Sequence, residues 1–269
     1  MEDDRILYTK EDGIGLITLN RPDRMNAVTD DMLITLGGIV NETILDDEVR
    51  VVIVTGNGRA FCGGTDVSNL GRDEVAAGKV RAARTQAQPK LPDSPLPAWT
   101  FTRIPKPTIA AVNGAAVGMG AEWTAQCDIR IASVNARFGW VFSLRGLTPD
   151  TGAGPYLLPY IVGLGKSLEM MYSGEIINAD EALRVGLVSQ VVPADDLLPT
   201  AKELAAKLMR GAPLSHKGIK ELTYGSLEWP PSVHRAETGQ RFRDISLTED
   251  CKEGVQSFLE KRPAVWKGK

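Results

Sequence analysis

The sequence is poor in the residues that build metal sites and nucleophilic triads. It contains two histidines and three cysteines, which are His216, His234, Cys62, Cys127 and Cys251. No two cysteines are closely spaced and neither histidine lies near a cysteine cluster, so the pattern supports neither a zinc site nor a Ser-His-Asp system. Few, separated thiols are typical of a reducing compartment, and we therefore expect a cytoplasmic protein with free cysteines and no metal.

Basic runs and long apolar runs are also missing. With a net charge of −3 and no long basic segment, the chain lacks the surface that nucleic acids require. No apolar run approaches the roughly 20 residues of a membrane span, and the chain begins with an acidic segment, so we expect neither membrane insertion nor secretion. At 269 residues and 43% hydrophobic, the chain is long enough to bury one large core.

The segment 106–133 carries the strongest local signals that are present. Residues 107–112 are apolar and β-branched and run into Asn113-Gly114, which predicts a buried strand that stops in a turn. The polar-poor run that follows predicts a helix to about Cys127. A second strand is expected at residues 128–133.

Glycines 118 and 120 and the acid Glu122 stand where this helix is expected to begin. The unpaired N–H groups and the dipole of a helix start favour an anion, or an oxygen that is becoming one. Two plainer interpretations are open, since acids are common in first turns and glycines allow tight strand-to-helix packing. A nucleotide-binding loop has weak support because the spacing is not G-x-G-x-x-G.

The same layout occurs once earlier in the chain. Residues 49–54 predict a buried strand, and they are followed by glycines and by Asp66. Two such junctions permit two N–H donors to converge on one oxygen. Residues 71–103 differ in composition, and we interpret them either as a mobile cover over the site or as a tolerated surface insertion.

Other local signals organise the rest of the chain. Asp12-Gly13 predicts a hairpin turn, and Thr29 is a candidate N-cap for a helix ending near Leu45. Asp150 is a candidate N-cap for the next helix, which Pro159 is expected to interrupt. Helices dominate after residue 195, so we divide the chain into regions 1–195 and 196–269.

Together, several motifs resemble the crotonase superfamily, the enoyl-CoA hydratases and isomerases. The resemblance covers nearly the whole chain in the right order. It rests on LNRPDRMNAV (19–28), VVIVTGNGRAFCGGTDV (51–67), KPTIAAVNGAAVGMGAEW (106–123), CDIRIAS (127–133), GLTPDTGAG (146–154) and ADEALRVGLVSQVV (179–192).

This resemblance implies an α/β fold, a spiral of β-β-α repeats over residues 1–195 that carries the site. Residues 196–269 would form helices that assemble homotrimers, or hexamers as dimers of trimers. The substrate would be an acyl-CoA thioester, handled by a lyase or isomerase of fatty acid metabolism. Coenzyme A would enter as part of the substrate, so no separate cofactor is implied.

The resemblance also assigns candidate site residues. The oxyanion hole would consist of the backbone amides of Thr65 and Met119. An apolar wall around the acyl group would be formed by Trp123, Trp140 and Phe142. Candidate contacts to coenzyme A are Arg24, Gly64, Asp66, Val67, Phe258 and Lys261.

The catalytic acids distinguish the reactions. Hydratases of the superfamily use two glutamates; Glu122 matches the first, and the second position holds Phe142, which cannot transfer a proton. Asp150 matches a catalytic aspartate of several isomerases. Glu122 and Asp150 could therefore share general acid-base work, although the residues do not indicate which is the base.

We therefore favour double-bond isomerisation of an enoyl-CoA, through an enolate held in the oxyanion hole, over simple hydration. Hydrolysis or ring cleavage of a cyclic acyl-CoA is an alternative, because the same hole serves any reaction through an enolate or tetrahedral intermediate. A non-catalytic acyl-CoA-binding subunit is another alternative. A dinucleotide-binding oxidoreductase is the least supported.

Overall fold

The computed structural model describes residues 4–66 and 96–269. Val67 and most of the segment 71–103 lie outside the described residues. In the described ranges the strands are β1 (Ile6–Glu11), β2 (Ile14–Leu19), β3 (Val51–Gly56), β4 (Ala60–Cys62), β5 (Thr108–Val112), β6 (Ala115–Val117), β7 (Ile129–Ser133), β8 (Arg137–Gly139), β9 (Ile177–Asn178) and β10 (Gln190–Val192).

The helices lie between and after these strands. They are α1 (Asp30–Leu45), α2 (Met119–Gln126), α3 (Ala153–Val162), α4 (Leu164–Ser173), α5 (Ala179–Arg184), α6 (Leu197–Leu208), α7 (Pro213–Gly225), α8 (Pro231–Ser246) and α9 (Glu249–Glu260). Short 3-10 turns occupy Pro22–Arg24, Ser143–Arg145 and Ala194–Asp196. In the described part of the chain, no helix combines the length and the apolar character needed to cross a membrane.

The strands form two sheets that the chain visits in turn. A six-stranded sheet has the order β1-β2-β3-β5-β7-β10, and a four-stranded sheet has the order β4-β6-β8-β9. The pairs β3-β4, β5-β6 and β7-β8 each put one strand in the large sheet and the next in the small one. Neighbours within these series are parallel, so each turn of chain stacks on the previous turn as a spiral.

The core lies on both faces of the large sheet. One apolar cluster fills the space between the two sheets and the helices α1, α2 and α3, and includes Phe61, Phe138 and Trp140. A second cluster lies on the other face, where Ala201 and Ala205 of α6 pack on the large sheet. Helix α6 follows residue 195 yet completes the core of the spiral, and the division of the chain there stays a prediction.

Two local predictions from the beginning of the chain are confirmed. Strands β1 and β2 form an antiparallel hairpin whose turn residues Asp12 and Gly13 have φ of 50° and 77°. Both values are left-handed, as a tight two-residue hairpin turn requires. Helix α1 begins after Thr29, whose side chain accepts a hydrogen bond from the Met32 nitrogen and so caps the helix.

The segment 106–133 contains one element more than predicted. The expected strands appear as β5 and β7, but the three-residue strand β6 stands between Gly114 and the helix. A run of three residues carries too little periodicity to be recognised from sequence. The helix itself begins at Met119 with Glu122 in its first turn, as predicted.

The prediction for the start of α3 is wrong in detail. The N-cap position is occupied by Gly152, with φ of 75°, which has no side chain to accept a hydrogen bond. The Ala153 nitrogen is instead capped by the hydroxyl oxygen of Thr151, to which it donates at 3.2 Å. Asp150 therefore does not cap the helix. Pro159 does not interrupt it either, because the buried side chains Leu157 and Leu158 anchor that turn to the core.

Candidate active site

The two strand-to-glycine junctions lie against each other. A methyl group built on Gly120 would lie 2.1 Å from the carbonyl oxygen of Cys62, and one built on Gly64 would lie 3.1 Å from that of Val117. The first distance is far below van der Waals contact, so position 120 requires glycine. Gly118, with φ of 56°, turns the chain from β6 into α2. The segment after β4 thus passes directly over the start of α2.

The amide of Thr65 points away from the pairing that holds its neighbours. The Val28 nitrogen donates to the Gly64 carbonyl at 2.8 Å, and the Asp66 nitrogen donates to the Val28 carbonyl at 2.8 Å. Successive N–H groups of an extended chain point to opposite sides. The N–H of Thr65 consequently faces away from Val28.

A second amide comes from Met119, the first residue of α2. The first N–H groups of a helix have no acceptor inside it, and here the helical bonds begin with the Glu122 nitrogen donating to Gly118 at 3.0 Å. A methyl group built on Gly64 would lie 3.9 Å from the Met119 nitrogen. The helix start and the residue before Thr65 are therefore neighbours, which the predicted oxyanion hole needs.

Glu122 lies one turn into α2, fully buried, with three donors on its carboxylate. The Trp140 indole nitrogen donates to Oε1 at 2.8 Å, and the Gly154 nitrogen donates to the same oxygen at 3.0 Å. The Thr151 hydroxyl donates to Oε2. Three donors hold this carboxylate in one orientation, inside an apolar surrounding.

Two opposing influences act on the acidity of Glu122. Burial raises the pKa of this carboxyl above its ordinary value, and the nearby charge of Asp150 acts in the same direction. The hydrogen bonds from Thr151, Gly154 and Trp140 lower it, but the net direction is upward. A carboxylate with a raised pKa is a stronger base than an exposed glutamate, as general base catalysis near neutral pH requires.

The three aromatic residues of the predicted acyl wall are buried but differ in their contacts. Phe142 lies at the junction, since its Cζ would be 3.9 Å from a methyl group on Gly118. Trp140 turns its indole N–H to Glu122 and therefore orients the acid as well as packing. Trp123 packs edge-on against Phe101, with ring centroids 5.9 Å apart. Their contact with an acyl group stays a prediction.

Asp150 lies at the exposed edge of the same region. It precedes α3, and its Oδ2 is 3.5 Å from the hydroxyl of Thr65, which donates to it. Its charge contributes to raising the pKa values of both Glu122 and Cys62. The structure therefore brings together the two predicted acids, one buried and one in contact with solvent.

Sequence reasoning missed two polar residues behind Glu122. Gln126 is fully buried one turn further along α2, and its amide nitrogen lies 3.4 Å from the hydroxyl oxygen of Thr151. The sequence contains a signal for Gln126 but none for Thr151. Glu122 and Gln126 are four residues apart, so their side chains share one helix face, and this spacing predicts a common partner.

The candidate contacts to coenzyme A fall into two groups. Arg24 is exposed, and Asp66, two residues after Gly64, is paired with Arg21 at 2.6 Å. Asp66 thus anchors the segment that carries Thr65. Val67 lies outside the described residues.

The second group is at the end of α9. Phe258 is 81% exposed, and Lys261 is the C-cap of this helix with φ of 54°. Neither belongs to the groups that contact the junction within the described chain. Their predicted contact with coenzyme A, including one across a subunit boundary, stays a prediction.

Comparison with known proteins connects this geometry to one family. A family model described as enoyl-CoA hydratase/isomerase matches residues 9–269. The chain is 36% identical over 266 residues to the short-chain-enoyl-CoA hydratase of Clostridium acetobutylicum, covering 97% of each chain. It is also 36% identical to (E)-benzylidenesuccinyl-CoA hydratase of Thauera aromatica, covering 95% of this chain and 96% of the relative.

Solved structures agree with the fold. The crystal structure of an enoyl-CoA hydratase from Bacillus anthracis has a TM-score of 0.90 to this chain at 30% identity. The likeness covers 99% of this chain and 100% of that one. The spiral that the sequence resemblance implied is therefore confirmed.

Proposed function

Because the chain belongs to the enoyl-CoA hydratase/isomerase family and is an enzyme, we propose that it moves a double bond within an acyl-CoA thioester through an enolate. One observation carries the proposal. The fully buried, triply hydrogen-bonded carboxylate of Glu122 lies three residues from the helix-start amide of Met119. A base and an N–H donor are then available to neighbouring atoms of one substrate.

The oxyanion hole in this proposal consists of the amides of Thr65 and Met119. Removing a proton beside the thioester carbonyl places negative charge on its oxygen. Two N–H donors about 2.7–3.1 Å from that oxygen would stabilise the charge, and the dipole at the start of α2 would add to them. Only backbone groups are required, so the threonine and methionine side chains do not interfere.

Glu122 acts as the base in this scheme. Its three donors favour the ionised form, and burial strengthens that form as a base. It takes the proton from the carbon beside the carbonyl, and the electron pair of that C–H bond becomes the enolate. In a 3-enoyl-CoA, the double bond between the third and fourth carbons then moves into conjugation with the carbonyl as the enolate is protonated at the fourth carbon.

Asp150 completes the transfer by relaying a proton from solvent to the far carbon of the shifting system. Because Asp150 is exposed, it can recover a proton from solvent, while Glu122 releases its own after the product leaves. The net reaction moves one proton from one carbon to another and consumes no co-reactant. Two carboxyl groups in different surroundings are a common basis for such a division of roles.

Simple hydration is the second candidate. It is favoured by the relatives named hydratases, two of which are 36% identical to this chain. Against it stands Phe142, which occupies the position of the second hydratase glutamate. Hydration here would need Asp150 to replace that glutamate in activating water.

We also propose that the chain functions as a trimer or a dimer of trimers. The support is apolar surface on the C-terminal helices, where Phe242, Leu247 and Phe258 are 74%, 80% and 81% exposed in the single chain. Exposed apolar side chains in this number mark a surface that another protein covers. Sedimentation analysis measures the assembly directly.

Product analysis in D₂O tests the reaction. Isomerisation of 2-enoyl-CoA and 3-enoyl-CoA substrates introduces deuterium at the carbons next to the double bond, and NMR locates it. Hydration yields a hydroxyacyl-CoA, and hydrolysis or ring cleavage is detected by free coenzyme A or an opened ring. Hydroxyacyl-CoA as the dominant product, without positional isomer, would refute the first candidate and support the second.

The acid variants test the assigned residues. Glu122→Gln and Asp150→Asn keep the side-chain shapes, so thioester binding should stay nearly intact while turnover falls by on the order of 100-fold or more. The exposed Asp180→Asn, on α5, serves as the matched control and should retain activity. Unchanged turnover in both site variants would remove the assignment.

A further inference from the structure

The hydroxyl of Thr151 is fixed in one direction by its neighbours. Its oxygen accepts from the Ala153 nitrogen at 3.2 Å and from the Gln126 side-chain nitrogen at 3.4 Å. The Gln126 amide is itself oriented, because its oxygen accepts from the Phe101 nitrogen at 3.4 Å. A hydroxyl accepts on two lone pairs and donates once. With both lone pairs occupied, the remaining proton of Thr151 points to Oε2 of Glu122.

A count of lone pairs on Glu122 shows where its reacting proton goes. A carboxylate offers two lone pairs on each oxygen. Both on Oε1 are taken by Trp140 and Gly154, and one on Oε2 is taken by Thr151. Within residues 4–66 and 96–269 no other donor meets Oε2, so a proton can be accepted on its second lone pair without breaking a bond in this network.

We propose that Thr151, locked by Gln126, is a positioning residue that aims Oε2 of Glu122 at the substrate and favours the ionised acid. This proposal rests on the proposed function and adds the residue that selects the reacting oxygen. Thr151 acts through Glu122 and need not touch the substrate. Gln126 acts through Thr151 in turn, from a fully buried place on the same helix face.

In the described chain, few other titratable groups lie close enough to Glu122 to influence its ionisation. Asp150 faces Glu122 from the loop before α3, and its charge opposes ionisation. Cys62 of β4 packs at the start of α2, and burial raises the pKa of its thiol to about 12, so it stays neutral. Arg130 of β7 donates to the carbonyls of Thr124 and Cys127 at the opposite end of α2.

A purely structural role for Thr151 is the competing explanation. Its bond from the Ala153 nitrogen caps α3, and loss of a cap lowers stability without changing the acidity of Glu122. The two roles separate by substitution. Thr151→Val removes both the cap and the donor while keeping the shape, and Thr151→Ser keeps both.

Two measurements test the proposal on the full-length enzyme. The first is the pH dependence of kcat/KM on the 2-enoyl-CoA or 3-enoyl-CoA that the enzyme converts. The second is a ¹³C NMR titration of the glutamate side-chain carboxyls, with the Glu122 signal assigned by its loss in Glu122→Gln. The titration needs no turnover, so it reports on the contact independently of the reaction.

We expect Thr151→Val to move the acid limb of the kcat/KM profile and the NMR midpoint of Glu122 up by about one pH unit, because a charge-assisted hydrogen bond is lost. Turnover at neutral pH should fall roughly tenfold. Thr151→Ser should restore both values to within about twofold of the wild-type enzyme. Thr9→Val, the same change on the exposed strand β1, should alter neither.

The other outcomes contradict either this proposal or the proposed function. An unshifted Glu122 midpoint in Thr151→Val, with only a lower melting temperature, reduces Thr151 to a helix cap and overturns the proposal. A shifted midpoint with unchanged kcat/KM also overturns it, because orientation of Oε2 would then not matter. Full activity of Glu122→Gln instead removes the proposed function itself, whatever the titration shows.

Discussion

Replacing Gly154 by alanine should damage both stability and turnover, because the glycine makes room for the catalytic carboxylate. A methyl group at position 154 would lie 2.0 Å from Oε1 of Glu122 and 2.6 Å from the indole nitrogen of Trp140. Neither atom can yield easily, since the two are hydrogen-bonded to each other at 2.8 Å inside the core. The substitution must therefore displace the carboxylate or the helix start of α3.

Two contributions determine how much Gly154→Ala lowers the free energy of unfolding. Overpacking a core position costs about 1–3 kcal/mol, and hydrogen bonds to a charged group contribute about 1.5–3 kcal/mol each. Because the two contributions overlap, we expect Gly154→Ala to lower the free energy of unfolding by about 3 kcal/mol. For a chain of this size that lowers the melting temperature by roughly 6–12 °C. A carboxylate displaced by about 1 Å should lower kcat by on the order of 100-fold.

Thermal unfolding and steady-state turnover, measured side by side, check this prediction. Gly165→Ala is the matched control, because position 165 is an exposed helical site with open space around the added methyl group. Alanine there should stabilise the protein by up to about 1 kcal/mol. A Gly154→Ala enzyme with wild-type melting temperature and kcat would refute the close approach of Gly154 to Glu122.

Two further predictions rest on individual residues. Burial raises the pKa of Glu122, so if its ionised form is the base, kcat/KM should fall as pH drops through a midpoint above the ordinary glutamate value of about 4.3. An acid limb at or below that value would contradict the assignment. Asn26 is fully buried with φ of 56°, and its amide donates to the carbonyls of Ala60 and Asn57 at 2.8 and 3.0 Å. Asn26→Ala should therefore cost about 2–4 kcal/mol in urea unfolding, whereas the exposed Asn57→Ala should cost under about 1 kcal/mol; equal effects would argue against this network.

The elements that could be predicted from sequence are those with a local cause. The hairpin at Asp12-Gly13 follows from two positions that tolerate positive φ, and the cap at Thr29 from a side chain that reaches the next turn. The place of Glu122 in the first turn of a helix also follows from the glycines just before it in the sequence. Each of these signals lies within a few residues of the structure that it specifies.

The surroundings of Glu122 could not be predicted in the same way. Trp140, Thr151 and Gly154 are 18, 29 and 32 residues away in sequence, and only the stacking of spiral turns brings them to the carboxylate. Trp140 is counted among the apolar residues, and nothing in the sequence indicates that its single N–H has a hydrogen-bond partner. The prediction of Asp150 as the N-cap was wrong because Gly152 occupies that position, and the Ala153 nitrogen donates to Thr151 instead.

A crystal structure of the complex with a saturated acyl-CoA tests the central claim most directly. We predict that the thioester oxygen lies about 2.7–3.1 Å from the backbone nitrogens of Thr65 and Met119. Oε2 of Glu122 should be the carboxylate oxygen nearest to the carbon beside the carbonyl. A thioester bound elsewhere, or one whose oxygen meets neither nitrogen, would contradict the account.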